Sequence, residues 1–215
     1  MKKNIFLPTC LVVSILFTLV LALLYYDIIR EICIYIFSLD YYIKKYSLVP
    51  QNSYYGKTII SINYNKENIN TIELVLKSLL DQSVRVDAIY INIQSNIVIP
   101  EFVKKIAIIN IIQKDYGNME NIIPILLIEE DSNTNIICLR DNIIYQYTLI
   151  EELIQASKLY PYKLICVDKK NYNKGILIKP KFFDIDLLHS HTVKDNITNS
   201  INNNIIKTGF KIFQI

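Results

Sequence analysis

The first apolar run of the chain extends from Leu7 to Tyr26 and contains no charged side chain. A helix of about twenty residues, at a rise of ~1.5 Å per residue, matches a bilayer hydrocarbon core of ~30 Å. Two lysines precede the run, and charged residues follow it from Asp27 onward. The pattern predicts an uncleaved signal anchor at residues 7–26, with a cleaved signal peptide as the alternative.

The charges on either side of this run predict its orientation. The positive-inside rule places residues 1–6 in the cytoplasm, because Lys2 and Lys3 lie there. The rest of a single-pass type II membrane protein is then lumenal or extracytoplasmic. Residues 27–55 mix apolar and charged positions, and we interpret them as a membrane-proximal stem with a break that opens at Pro50.

Residues 56–215 alternate short apolar runs with stretches of helical periodicity. The predicted strands are Thr58–Asn63, Ala88–Ile93, Ile106–Ile112, Asn135–Leu139, Tyr162–Val167, Gly175–Ile178 and residues 210–213. The predicted helices are Asn70–Asp81, a short helix from Pro100, an amphipathic stretch that reaches Ile128, Tyr147–Lys158 and Ile197–Lys207. Such alternation is typical of one α/β domain with a mostly parallel sheet flanked by helices.

Two local patterns give sharper expectations. The nearly unbroken apolar run Ile106–Ile112 predicts a strand that is buried on both faces. Asn70, followed three residues later by Glu73, predicts a capping box at the start of the first helix of the domain.

Composition narrows the function classes only a little. The net charge is +3, from 23 basic and 20 acidic residues, and no basic stripe with interleaved aromatics occurs. The sequence therefore does not indicate a nucleic-acid partner. Four cysteines without a C-x-x-C spacing do not indicate a zinc site. Cys138 and Cys166 lie in apolar runs, as small core residues or, in an oxidising compartment, as partners in a disulfide.

The predicted sheet directs attention to three loops. In open α/β sheets, ligands bind at the carboxyl ends of the strands. Polar residues follow the first strand at Asn63, the fourth strand at Asp141, and the late segment around Asp195. These loops are where binding or catalytic side chains are expected.

Five segments of residues 57–213, taken in order, resemble GT-A-fold glycosyltransferases of the family 2 type. They are IISINYNKENINTIELVLKSLLDQSVRVDAIYINI, KDYGNMENIIPIL, IICLRDNIIY, GILIKPKFFD and KDNITNSINNNIIKTGFKI. The first is similar to the strand, loop and helix that open such domains, and the third to the strand that carries their Asp-x-Asp motif. The last is similar to the acidic pair that opens their acceptor-side helix.

The resemblance implies a nucleotide-sugar donor and a glycan or protein acceptor. Such enzymes hold the donor diphosphate through Mn²⁺ or Mg²⁺ on the Asp-x-Asp carboxylates, since hard cations prefer oxygen ligands. It implies donor binding by Asn63, Arg140, Asp141 and Asn142, with Asp141 and Asn142 as metal ligands. In inverting members a further carboxylate accepts the proton of the acceptor hydroxyl, and Asp195 stands in that place.

The chain also departs from the family pattern. Arg140, Asp141 and Asn142 replace the acidic triplet, so only the middle carboxylate remains. Arg140 could hold the diphosphate without a metal, or form a surface ion pair with Asp141. Glu120 and Asn121 stand where the family has a Lys.

Other candidate residues have a structural as well as a functional interpretation. Asp195 precedes a predicted helix, where an Asp is ordinarily an N-cap. His189 and His191 form an H-x-H pair that could supply a metal ligand, or simply lie in an exposed loop.

Three hypotheses follow. The chain is a membrane-anchored glycosyltransferase of the hexosyltransferase type, or a catalytically inactive GT-A relative that acts as a binding or complex-forming subunit. The inactive relative would work beside a partner glycosyltransferase with an intact acidic triplet. The third hypothesis is a structural membrane protein with an unrelated α/β domain.

Overall fold

The computed structural model describes residues 6–50, 56–168, 174–183 and 211–215 of the 215-residue chain. It divides the chain into two compact units, Met1–Ser38 and Leu39–Ile215, which we call the N-terminal unit and the α/β unit. Asp195, His189 and His191 and the predicted helix Ile197–Lys207 lie outside the described residues.

The N-terminal unit contains helix α1, Phe6–Leu24, and helix α2, Tyr26–Ile36. Helix α1 covers most of the segment predicted as an anchor. Among the residues that the structure describes, however, no helix combines the length and the apolar character needed to cross a membrane.

The segment interpreted as a stem contains helix α2 and a further helix, α3, at Leu39–Leu48. Helix α3 belongs to the α/β unit, where Lys45 forms an ion pair with the buried carboxylate of Asp81. The hydroxyl of Tyr46 accepts a hydrogen bond from the backbone N–H of Val86 at 2.8 Å. Part of the stem segment is thus packed against the α/β core.

The α/β unit is built on a seven-stranded sheet of order β3-β2-β1-β4-β6-β5-β7. The strands are β1 Thr58–Asn63, β2 Ala88–Gln94, β3 Ile108–Ile112, β4 Asn135–Arg140, β5 Lys163–Cys166, β6 Ile176–Ile178 and β7 Lys211–Gln214. The further helices are α4 Ile69–Leu80, α5 Glu101–Lys104, α6 Ile123–Ile128 and α7 Leu149–Leu159. Strand β6 runs antiparallel to both of its neighbours, and the other pairings are parallel.

Helices cover both faces of this sheet because both faces are apolar. Five of the six residues of β1 are buried, so its side chains enter two cores. One core joins Ile60 and Ile137 to helices α4, α5 and α7, and the other joins Ile59 and Ile136 to α6. The burial of each of these isoleucine side chains contributes roughly 1.5–3 kcal/mol to the stability of the fold. The predicted α/β class, with a mostly parallel sheet and flanking helices, is confirmed.

The prediction that the third strand is buried on both faces is wrong. Strand β3 forms one edge of the sheet, and Ile108 and Ile111 are 50% and 61% exposed. An unbroken apolar run therefore does not distinguish a central strand from an edge strand that keeps its apolar side chains.

The predicted capping box does not form either. Helix α4 begins at Ile69 with Asn68 as its N-cap residue, and no side chain caps it. The side-chain amide of Asn68 instead donates to Asp141. This residue is used to join two loops rather than to satisfy the end of its own helix.

The two apolar cysteines of the sheet lie in the core and are not joined by a disulfide. Cys138 in β4 and Cys166 in β5 both lie opposite Ile176 of the intervening strand β6. Two strand spacings, each of about 4.8 Å, separate their Cα atoms. The sum of the two spacings exceeds the Cα distance of ~4.4–6.8 Å that a disulfide allows. Of the two alternatives, the structure therefore favours small core residues.

Candidate functional site

The candidate site lies at the point where the strand order of the sheet reverses, between β1 and β4. Strands β2 and β3 extend the sheet to one side of β1, and β4 lies on the other side. Asn63 and Arg140, the last residues of β1 and β4, are register partners. The loops that leave these two strands diverge, and such a switch point is where open α/β sheets bind ligands.

A cavity of about 390 Å³ opens at this point. Its lining includes all four residues expected to bind a donor, namely Asn63, Arg140, Asp141 and Asn142. The remaining lining residues are Asn65, Glu67, Asn68, Gly117, Glu120, Asn121 and Leu139. The structure thus brings the four predicted residues together, whereas Asp195 lies outside the described residues.

Asp141 connects the loop after β1 to the end of β4 through hydrogen bonds. Its side chain is buried, with 6% of the residue exposed. One carboxylate oxygen accepts the backbone N–H of Asn65 at 2.7 Å, and the other accepts the side-chain amide of Asn68 at 2.9 Å. Its backbone carbonyl accepts the hydroxyl of Thr71 at 3.1 Å. Such charge-assisted hydrogen bonds hold the loop after β1 and the start of α4 against the end of β4.

Tyr145 fixes the backbone of Arg140. The hydroxyl of Tyr145 accepts the Arg140 N–H at 2.6 Å and donates to the Arg140 carbonyl at 3.1 Å. The Tyr145 N–H donates to the hydroxyl of Ser78 in α4 at 3.1 Å. Burial raises the pKa of Tyr145, so the hydroxyl stays protonated and keeps its donor. The end of β4 is therefore held in a defined turn.

The side chain of Arg140 is partly exposed at the cavity wall. Within the described residues its guanidinium forms no ion pair, so the surface pair with Asp141 that the sequence left open is not observed. The carboxylate of Asp141 is occupied by the loop after β1 instead. A guanidinium in this state retains its five N–H donors for a ligand.

Glu120 is a cavity residue that sequence reasoning missed, since it was considered only as the replacement for a family Lys. The residue is buried, and its carboxylate accepts the side-chain amides of Asn63 at 2.6 Å and Gln94 at 3.1 Å. The accepted bond fixes which way the Asn63 amide is turned. The one signal in the sequence was a carboxylate close to Met119 and Ile122, two apolar residues that the structure buries.

A row of polar side chains continues from the site into the sheet. The fully buried Asn92 donates to the hydroxyl of Ser61 at 2.9 Å and accepts the amide of Asn110 at 2.8 Å. Buried polar groups of this kind are costly unless they are paired, and here each pair is made across adjacent strands. The row crosses β1, β2 and β3 inside the sheet, and none of its three residues lines the cavity.

The residues of the cavity do not match the metal site that the resemblance implies. Both oxygens of Asp141 already accept hydrogen bonds, and Asn142 is exposed and neutral. Over the part of the chain that the structure describes, His, Cys, Asp and Glu side chains form no group of three that could hold a cation. Mn²⁺ and Mg²⁺ take several oxygen ligands, whereas Asp141 has both oxygens in hydrogen bonds and Asn142 brings no charge.

No model of a known protein family matches the chain, and no curated protein matches it. A function for the chain therefore rests on the geometry of the cavity between β1 and β4.

Proposed function

We propose that the α/β unit is a GT-A-like domain that binds a nucleotide-sugar in the cavity between β1 and β4, and that the chain transfers the sugar to a glycan or protein acceptor. The observation that carries the proposal is the convergence of Asn63, Arg140, Asp141 and Asn142 on one cavity of about 390 Å³. A cavity of that volume falls within the ~300–1,000 Å³ of small-molecule sites.

Arg140 is the group in this cavity suited to a diphosphate. A guanidinium binds phosphate oxygens in a bidentate manner and remains charged at physiological pH. Its backbone is held by Tyr145, and its side chain has no competing ion pair among the described residues. In this proposal Arg140 takes over charge neutralisation, and Asp141 shapes the loop instead of binding Mn²⁺ or Mg²⁺.

Amide side chains supply the rest of the recognition. Asn63, Asn65, Asn68, Asn121 and Asn142 line the cavity. An amide offers both donors and an acceptor, and sugar hydroxyls and nucleobase edges require both. The bonds that Glu120 and Asp141 accept from Asn63 and Asn68 limit how these amides turn.

A second candidate function is the catalytically inactive relative, which binds a glycan or nucleotide as part of a complex. The lining carries three carboxylates, Glu67, Glu120 and Asp141, against the single guanidinium of Arg140. An excess of negative charge disfavours a diphosphate compared with a neutral ligand. This observation favours a binding subunit that works beside a partner glycosyltransferase.

Calorimetric titration of the full chain in detergent micelles tests the donor proposal. UDP, GDP and UDP- and GDP-sugars are titrated in EDTA and then in Mn²⁺. We expect binding that persists in EDTA and weakens at least tenfold in Arg140→Gln, since one charge-assisted bidentate contact contributes more than ~1.4 kcal/mol. Arg85→Gln is the matched control, because Arg85 precedes β2 and does not line this cavity.

Three outcomes separate the hypotheses. Binding that requires Mn²⁺ would contradict the role given to Arg140. Absence of binding by every nucleotide, with and without Mn²⁺, would reject the nucleotide-sugar proposal. Binding without transfer or donor hydrolysis, unchanged in Asp195→Asn, would favour the inactive relative.

A further inference from the structure

Helix α2 of the N-terminal unit has one apolar face that is open to its surroundings. Ile28, Ile29, Ile32, Tyr35 and Ile36 are 56%, 47%, 51%, 58% and 72% exposed. The last four follow Ile28 by one, four, seven and eight residues. At 100° per residue, all five side chains lie within an arc of roughly 120° around the helix axis. Five large apolar side chains on one exposed face of an eleven-residue helix form a patch that a protein surface rarely leaves uncovered.

The rest of α2 is different in character. Arg30 and Ile34 are buried, and Asp27 and Glu31 are exposed and charged. The helix is therefore amphipathic, with its apolar stripe facing outward rather than into a core. This arrangement is typical of a helix that lies along a membrane surface.

Helix α1, in the same unit, indicates what covers that stripe. Eight exposed large apolar residues lie between Leu11 and Leu21 of this helix: Leu11, Val12, Val13, Ile15, Leu16, Phe17, Val20 and Leu21. Successive steps of about 100° distribute them around the whole circumference. A protein groove would cover one side of α1, whereas lipid can cover every side, so lipid fits its exposed apolar surface better than a protein groove does.

The junction of the two helices has the chemistry of a membrane interface. Tyr25 lies between α1 and α2, Tyr26 begins α2, and both are about half exposed. Tyrosine is enriched at the headgroup level, where its ring meets apolar chains and its hydroxyl meets water. Exposed apolar residues of α1, the two tyrosines and the stripe of α2 thus follow one another along the N-terminal unit.

We propose that α2 lies in the plane of a bilayer interface, with its Ile28–Ile36 stripe turned toward the acyl chains. Helices of this kind are buried by about 5–10 Å at the boundary between headgroups and chains. The stripe then covers its apolar area with lipid, while Asp27 and Glu31 stay at the water side. This inference stands apart from nucleotide binding, because it concerns only the N-terminal unit.

A tryptophan scan tests this placement, since the chain contains no Trp of its own. The full chain is reconstituted into phosphatidylcholine vesicles with Ile32→Trp on the stripe or Asp27→Trp on the charged face. We expect blue-shifted emission and quenching by brominated acyl chains for Ile32→Trp. Asp27→Trp should emit as a water-exposed indole and be quenched by aqueous acrylamide. Ile28→Trp gives a second position on the stripe, and both replaced isoleucines are exposed, so the fold tolerates the change.

Other outcomes overturn the placement. If both tryptophans are quenched by acrylamide and neither by brominated lipid, α2 lies outside the bilayer. If Ile32→Trp is blue-shifted but insensitive to brominated lipid, protein covers the stripe, and crosslinking would show whether it is a second copy. UDP and GDP titration on the same vesicles keeps this result separate from that of the donor proposal.

Discussion

Two buried tyrosines near the site differ in the hydrogen bonding of their hydroxyl groups. The Tyr145 hydroxyl bonds both backbone groups of Arg140, at 2.6 and 3.1 Å. The Tyr64 hydroxyl is buried and has no hydrogen-bond partner in the described part of the chain. Burial first, and then the nearby charge of Asp141, raise the pKa of Tyr64, so this hydroxyl remains a neutral donor.

The pair predicts opposite changes in stability. A buried polar group without a partner costs about 1–3 kcal/mol, so Tyr64→Phe should raise the free energy of unfolding by about 1 kcal/mol. Tyr145→Phe removes two bonds and leaves Arg140 backbone groups unsatisfied, so it should lower that free energy by roughly 1–3 kcal/mol. Urea unfolding in detergent measures both. A loss of stability in Tyr64→Phe would mean that its hydroxyl has a partner.

At this scale, the sequence predicted that the loops after β1 and β4 would lie together but not how their side chains would pair, and the third predicted loop, around Asp195, lies outside the described residues. Asn63, Arg140, Asp141 and Asn142 end or follow apolar strands, so strand order alone places them together. The role of Glu120 depends on Asn63 and Gln94, which lie 57 and 26 residues away. Pairings over such separations are set by the fold, and no local pattern reports them.

Among the elements, the connection between β5 and β6 depends on a glycine. Gly175 has a φ of 143°, and a Cβ there would lie 3.3 Å from side-chain atoms of both Leu139 and Val167. Gly56, before β1, has a φ of 72° with no atom within 4 Å of such a Cβ. At both positions the positive φ would strain a residue that has a Cβ, but only at Gly175 would that Cβ also crowd neighbouring side chains.

Alanine at these two positions should therefore cost unequal amounts. Gly56→Ala should lower the free energy of unfolding by ~1–2 kcal/mol, the cost of a left-handed residue with a Cβ. Gly175→Ala should lower it further, because that backbone region is almost closed to residues with a Cβ and the neighbours must move. Urea unfolding compares them. Equal losses would show that Leu139 and Val167 yield without cost.

The order of elements was predictable, whereas their exposure was not. Alternation of strands and helices from Thr58 to Ile178 appears in the sequence because each buried element needs its own apolar period. The edge position of β3 and the partnering of Asn68 depend on which strands pair and which loops meet. Strand pairing and loop contacts are set by tertiary packing. The predictions made from the apolar run at β3 and from the capping pattern at α4 were therefore both wrong.

For the whole molecule, membrane attachment through the N-terminal unit stays a prediction. The full chain should sediment with membranes and resist alkaline extraction. Val13→Asp with Leu16→Asp should release it, because a charge in the bilayer centre costs about 3 kcal/mol. Val98→Asp is the control, since Val98 is 86% exposed in the α/β unit. Extraction of the unchanged chain by carbonate would contradict the prediction.

The two thiols on either side of β6 have a consequence for where this protein is able to work. Cys138 and Cys166 are not joined by a disulfide, are fully enclosed and are held apart by an intervening strand; burial raises the pKa of Cys138, which suppresses its reactive thiolate. Oxidants and glutathione therefore have no bond to make or break between them. The sheet should have the same stability in a reducing cytosol as in an oxidising lumen, so redox conditions do not restrict the α/β unit to one side of a membrane.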